Sequence, residues 1–255
     1  MQTVLFHSTI FGPIHSRRLG TSLGVNLSPD DGKVCSFDCR YCEAGFNAQG
    51  TGTTGLPPRQ EVRRQLEAKL SQMKAAGEGL DVITFSGNGE PTMHPEFAGI
   101  IDDTLALRDR YFPDVKVSVL TNATRLRKPE VVEALRRVDN NILKLDSALT
   151  PTMRAIDRPV DKDFTAESAI ADLEQFRGTG VIQTMLLRGS DFDNTTETEL
   201  AALAEAYRRI GPREVMLYSI DRPTPDKTLT RVMPDELKEY AQRLSEISGI
   251  HVYAY

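Results

Sequence analysis

The chain has 255 residues, of which 40% are apolar and 26% charged. That is enough to bury the core of one large α/β domain, in proportions ordinary for a globular protein. No run of 18 apolar residues appears, which argues against a membrane span, and the net charge of −5 provides no global attraction to nucleic acid.

The N-terminal stretch "MQTVLFHSTIFGP" has neither a basic start nor a long apolar run, so it reads as an extension over residues 1–21 rather than a signal peptide. Arg17 and Arg18 in that extension, like Arg125, Arg127 and Lys128 later, are local basic groups whose simplest reading is solvated surface. The first strand candidate is "SLGVNL" from Ser22, followed by "DVITFS" from Asp81, "KVSVLTN" from Lys116 and "ILKLDS" from Ile142. "VIQTMLL" from Val181, "EVMLYSI" from Glu214 and "IHVYAY" from Ile250 complete the series. Several are nearly continuous apolar runs, as expected of parallel strands covered on both faces. Helical stripes alternate with them: Val62, Leu66, Leu70 and Met73; Val131, Val132, Leu135 and Val138; Leu200, Leu203 and Tyr207; Leu237, Tyr240, Leu244 and Ile247. Such alternation predicts a parallel sheet with right-handed crossovers, either doubly wound or a full or partial barrel. A core over residues 22–220 followed by a helix and strand over 221–255 forms one domain, with functional groups expected at the carboxyl ends of the strands.

All three cysteines fall within "CSFDCRYC", as Cys35-x3-Cys39-x2-Cys42, in the loop after the first strand. Three thiols cannot all pair, and clustered cysteines without an export signal point to metal in the reducing cytoplasm. Thiolates are soft ligands for zinc, Cu(I) or iron–sulfur clusters. A structural zinc wants four protein ligands, and the nearest histidine, His15, is twenty residues away, with His7, His94 and His251 farther. A four-iron cluster held by three thiolates matches the count and leaves one iron open for chemistry.

A second informative stretch, "TFSGNGEPTMHP" from Thr84, follows the second strand. Gly87 and Gly89 allow close approach of the backbone, and Glu90 offers a carboxylate to a cation. Farther on, Asn122 in "LTNA" can reach a ribose or close an Asx turn. Lys144 and Asp146 share one face of their strand and either hold ligand groups or pair with each other. Arg188, ending "MLLR", suits a carboxylate ligand or a surface ion pair.

Together the cysteine triplet and the "GNGE" turn resemble the signatures of the radical S-adenosylmethionine (radical SAM) enzymes. The resemblance implies a partial (β/α)6 TIM-like barrel of parallel strands, with a 4Fe-4S cluster on Cys35, Cys39 and Cys42. It further implies S-adenosylmethionine against Gly87, Asn88, Gly89 and Glu90, Tyr41 near the adenine, and a 5′-deoxyadenosyl radical that abstracts hydrogen from a substrate. In this picture Asn122, Lys144, Asp146 and Arg188 complete the cofactor site, and a flavodoxin or ferredoxin supplies electrons. "FGPIHSRRLGTSLGVNLSP" and "TFSGNGEPTMHP" look like a short bacterial subgroup related to the catalytic domain of tRNA 4-demethylwyosine synthase. That subgroup suggests a wyosine-type tRNA base as substrate, but the synthase's second cluster has no cysteines here. Activation of a glycyl-radical protein and a non-catalytic metal-stabilised binding module are the alternatives.

Overall fold

The computed structural model describes residues 4–16 and 18–255, so Arg17 lies outside the described residues. In chain order the elements are β1 (Ile10–Ser16), β2 (Gly20–Val25), α1 (Arg59–Ala76), β3 (Val82–Phe85), α2 (Phe97–Tyr111), β4 (Lys116–Thr121), α3 (Pro129–Arg137) and β5 (Asn140–Lys144). They continue with α4 (Thr150–Asp157), α5 (Ala166–Leu173), β6 (Val181–Met185), β7 (Leu187–Arg188), α6 (Glu197–Ile210), β8 (Glu214–Tyr218), β9 (Thr230–Arg231), α7 (Pro234–Ser248) and β10 (Val252–Ala254).

Eight strands form one sheet in the order β1-β2-β3-β4-β5-β6-β8-β10, while β7 and β9 make a separate antiparallel pair. Every neighbour in the main sheet is parallel except β1 with β2. The sheet is the expected α/β partial barrel, left open, with β1 and β10 at its two ends. The N-terminal extension therefore contributes an edge strand, and the C-terminal tail adds β10 beside β8.

Each helix is made by its apolar stripe. α1 begins after Pro58, buries Val62, Leu66, Leu70 and Met73, and stops at Gly77, which takes the left-handed conformation at φ +68°. Those side chains share one core with Ile101 of α2, Leu135 of α3, Leu203 and Tyr207 of α6, and Val117, Leu143, Ile182 and Val215 of the sheet. In α7 the buried row is Leu237, Ala241, Leu244 and Ser248, which follows the 3.6-residue period. Ile247, expected in that stripe, lies one row over and is exposed.

Alternation along the strands sends the other set of side chains to the concave face. There Ile142, Val181 and Met216 form a small apolar cluster with Leu19, Leu120 and Tyr255. Two residues farther along the same strands stand Lys144, Gln183 and Tyr218, so this face turns polar toward the carboxyl ends. No helix of the described residues is long and apolar enough to cross a membrane.

Candidate active site

The cysteine loop is fastened to the Gly-rich turn by backbone. Val34 N donates to Asn88 O at 3.2 Å, and Glu90 N donates to Val34 O at 2.9 Å. A Cβ on Gly89 would stand 1.9 Å from Val34 O, so only glycine allows this approach. Gly87, at φ +144°, would likewise collide with Asn26. The freedom these glycines provide is used first by the chain itself. The far side of the loop rests on the end of α4, where Asp38 N donates to Asp157 O at 3.0 Å and Arg40 N to Ile156 O at 2.9 Å.

Within this frame Cys35, Cys39 and Cys42 are half-buried. Burial first, then the Glu90 carboxylate, push the Cys35 thiol up to about 12. Burial also holds Cys39 well above the usual thiol range. Thiols so raised stay protonated until a cation arrives, so metal loading here releases protons. Asn122 Nδ2 approaches Cys35 Sγ at 3.6 Å and donates to Ser36 Oγ at 2.9 Å.

The zinc alternative needs a further ligand. His94 is occupied at both ring nitrogens, by Pro57 O at 3.0 Å and Glu96 N at 3.1 Å, and His7 Nδ1 is bonded to Asp30 O. Among the described residues no three His, Cys, Asp or Glu side chains are gathered as a single metal ion requires.

Glu90 is buried at the turn and its carboxylate accepts four hydrogen bonds from the chain itself. Its carboxylate accepts from Thr92 N (3.0 Å), Thr92 Oγ1 (2.6 Å), Thr121 Oγ1 (2.6 Å) and Asn122 N (2.7 Å). Burial raises its pKa, and these hydrogen bonds oppose the rise. Glu90 thus ties the end of β4 to the turn.

A cavity of about 530 Å³ opens at the carboxyl ends of the strands, bordered by Tyr41, Cys42, Gly87, Met185 and Tyr218. Its volume is in the range of small-molecule sites. The chain matches the radical SAM superfamily over residues 31–181, a span that contains both the cysteine loop and the Gly-rich turn. The chain belongs to the radical SAM superfamily.

A UPF0026 protein of Helicobacter pylori (strain J99) is 31% identical over 235 residues, covering 89% of this chain and 71% of that protein. A radical SAM methyltransferase structure from Sphaerobacter thermophilus superimposes with a TM-score of 0.69 at 19% identity, over 92% of this chain and 65% of the other. The structure of TYW1 with a lysine–pyruvate adduct bound gives a TM-score of 0.63 at 18% identity, over 90% and 75%. At such identities the two structures bear on the fold, which is the radical SAM barrel.

In this radical SAM chain the remaining expected residues divide. Tyr41, Lys144 and Asp146 meet beneath the cysteine loop. Tyr41 OH donates to Asp146 Oδ2 at 2.5 Å, and Lys144 Nζ bonds Tyr41 OH, Asp146 Oδ2 and, at 3.0 Å, Asp157 Oδ1. Burial lowers the Lys144 pKa, but the carboxylates of Asp146 and Asp157 outweigh it and hold the ammonium well above its usual range. Asp146 also accepts from Met185 N at 2.9 Å. Lys144 and Asp146 therefore pair with each other, the second of the two roles their spacing allowed.

Asn122 closes the Asx turn, its Oδ1 accepting from Thr124 N at 3.1 Å. The Asn88 side chain, expected at the cofactor, is fully buried and bonds Phe6 N, Phe6 O and Pro29 O. The Asn88 backbone is engaged as well, the N–H donating to Asn26 Oδ1 at 3.1 Å and the carbonyl accepting from Val34 N. Arg188, expected at a carboxylate ligand, lies on β7, which leaves the main sheet after Met185, and its guanidinium engages Glu236, Thr195 and Tyr240, the ion pair that was its other reading.

Sequence reasoning missed two residues of this site. Asp157 accepts from Cys39 Sγ at 3.4 Å, and burial raises its pKa to about 7. Arg40, between the cysteines, is buried and donates to Asp226 Oδ2 at 2.6 Å, Asp191 Oδ1 at 2.5 Å and Thr228 Oγ1 at 3.3 Å. The only signal for Arg40 was its place inside the cysteine motif; Asp157 had none.

Proposed function

We propose that this radical SAM protein is an enzyme holding a 4Fe-4S cluster on Cys35, Cys39 and Cys42, with S-adenosylmethionine beside the Gly-rich turn and a substrate in the adjoining cavity. The observation that carries this reading is the junction of the three half-buried thiols with the turn, Cys42 and Gly87 bordering one cavity. The donor set suits an iron–sulfur cluster, being soft, taken from one short loop and short of the four ligands of a closed site. When bound, the cluster and S-adenosylmethionine supply one-electron cleavage to a 5′-deoxyadenosyl radical that abstracts hydrogen, with a flavodoxin or ferredoxin as the electron source.

The chain's own residues position and protect. Val34 and Asn88 set the distance between cysteine loop and turn through paired backbone bonds. Glu90 fixes the end of β4 so that Asn122 lies against Cys35. Lys144, held by Asp146 and Asp157, supplies a cation under Cys39 that favours thiolate there. Tyr41, adjacent to Cys42, forms part of the cavity wall where an adenine ring would stack.

The test is anaerobic reconstitution with iron and sulfide, reduction by dithionite, and assay for 5′-deoxyadenosine from S-adenosylmethionine. Formation of 5′-deoxyadenosine by the loaded protein alone is the expected result. A fully loaded cluster that leaves S-adenosylmethionine intact would rule out the reading.

A further inference from the structure

Arg18 stands apart from the other arginines of the cavity region. Its guanidinium carbon lies 4.6 Å above the centre of the Tyr218 ring, on the concave face of the sheet. Among the described residues no carboxylate pairs with it, and its Nη1 is buried without a hydrogen-bond partner. Arg222, on the same cavity wall, is by contrast neutralised by Glu43 at 2.9 Å. Beside Arg18, Tyr218 OH accepts from Gln183 Nε2 at 2.7 Å, and Gln183 Oε1 is a second buried polar atom without a partner.

Position adds to this. Arg18 borders both the 530 Å³ cavity and a second one of about 360 Å³ at the amino ends of the strands, as does Tyr255. It therefore lies in the unclosed seam of the barrel, toward the floor, while Cys42 lies at the rim. An arginine stacked on an aromatic ring keeps its edge donors free in the guanidinium plane, the geometry that takes two oxygens of one oxyanion. A buried donor left unmade is costly, so such a site favours a ligand that fills it.

We propose that the substrate of this enzyme carries a carboxylate or phosphate group, and that Arg18 receives it at the floor of the cavity. This deepens the radical SAM reading above and rests on it. With the anion anchored at Arg18, the rest of the substrate points along the cavity toward Cys42 and Gly87, where hydrogen abstraction takes place. Arg18 is thus a specificity-determining residue, and the ligand class is anionic small molecules or a single anionic unit of a larger one.

The experiment is calorimetric titration of the reconstituted protein with inorganic phosphate and, separately, with acetate. Saturable one-site binding of at least one of them is expected, and the stronger of the two identifies the group. Arg18→Ala should weaken it tenfold or more, Arg18→Lys less, and Arg64→Ala on the outer helix α1 not at all. In the wild type, the bound anion should also protect Arg18 from phenylglyoxal, read by peptide mass, which needs no variant to fold. Absence of binding, equal binding by Arg18→Ala, or lack of protection overturns the proposal. Competitive displacement of the anion by S-adenosylmethionine overturns it too, because the seat would then be the cofactor's. Cleavage to 5′-deoxyadenosine by the wild type without added anion is measured separately, so failure of the radical SAM reading is seen independently.

Discussion

On the outer helices, Glu61 pairs with Arg64, Glu133 with Arg136 and Glu205 with Arg208, each three residues apart and each largely in solvent. At the carboxyl ends of the strands, Lys144 lies between Asp146 and Asp157 with the carboxylates almost wholly removed from water. Glu90 is buried with four donors, and Arg40 reaches across the fold to two aspartates. The first kind of pair gains little, because water solvates both partners equally well in the unfolded chain. The second kind is expensive to desolvate and costly to break. Charge buried at that expense is concentrated around the cysteine loop, as expected of a region selected for chemistry rather than stability.

Substitutions can break that contrast, and the largest effect belongs to the proposed metal ligands. Cys35→Ala, Cys39→Ala and Cys42→Ala should each abolish cluster assembly, because the chain has no spare thiol. Iron analysis should fall from about four per chain to near zero. Retention of wild-type iron by any one variant would remove that cysteine from the ligand set.

Glu90→Ala comes next. It leaves Thr92, Thr121 and Asn122 with unpaired buried donors, so the metal-free protein should lose about 3 kcal/mol in urea unfolding. Glu90→Gln keeps an acceptor and should lose less. If metal-free stability is unchanged by the alanine variant, Glu90 acts on a ligand instead of tying β4 to the turn.

A smaller loss is expected for Arg40→Ala, about 1.5 kcal/mol, because Asp191 already faces solvent and is readily hydrated. Hydrogen exchange should rise at residues 189–192 and 224–229, the segments Arg40 holds, and not in α1.

The least effect marks the helical side of the comparison. Asp103 of α2 accepts from Arg59 and Arg63 of α1, and the Arg59 hydrogen bond, ahead of that from Arg63, lowers its pKa. A lowered carboxyl pKa stabilises the folded state above the unfolded value and ceases to do so as pH falls through the folded one. Asp103→Asn should therefore cost under about 1 kcal/mol at neutral pH, and the difference from wild type should shrink between about pH 5 and pH 2. A constant difference across that range would show that the pair does not titrate with folding.

The same contrast explains what was legible in the sequence. Apolar runs announced the parallel strands, and the stripes of α1, α3 and α6 announced their helices, because burial repeats at a fixed period. β1 escaped notice: it is mostly exposed, contains Gly12 and Pro13, and lies at a sheet edge where no alternation is imposed. α2 was also missed, its buried row being interrupted by Thr104. At the site, the cysteines and the Gly-rich turn were readable because each motif is local. The partners of Arg40 and Cys39 were not, since Asp226 and Asp157 lie 186 and 118 residues away and no spacing links them. Arg18 was read as surface because only the fold brings it over Tyr218.

The clasp made by Arg40 links parts of the chain that are far apart in sequence. Arg40 sits on the same short peptide as Cys39 and Cys42, and its guanidinium secures the segments around Asp191 and Asp226. Any fluctuation that lifts those segments pulls on the cysteine loop, and any strain in that loop loosens them. The two segments and the loop are thus mechanically coupled through one side chain. Replacing Arg40 should therefore loosen those segments and the cysteine loop together, whereas a substitution confined to the outer helices should loosen neither.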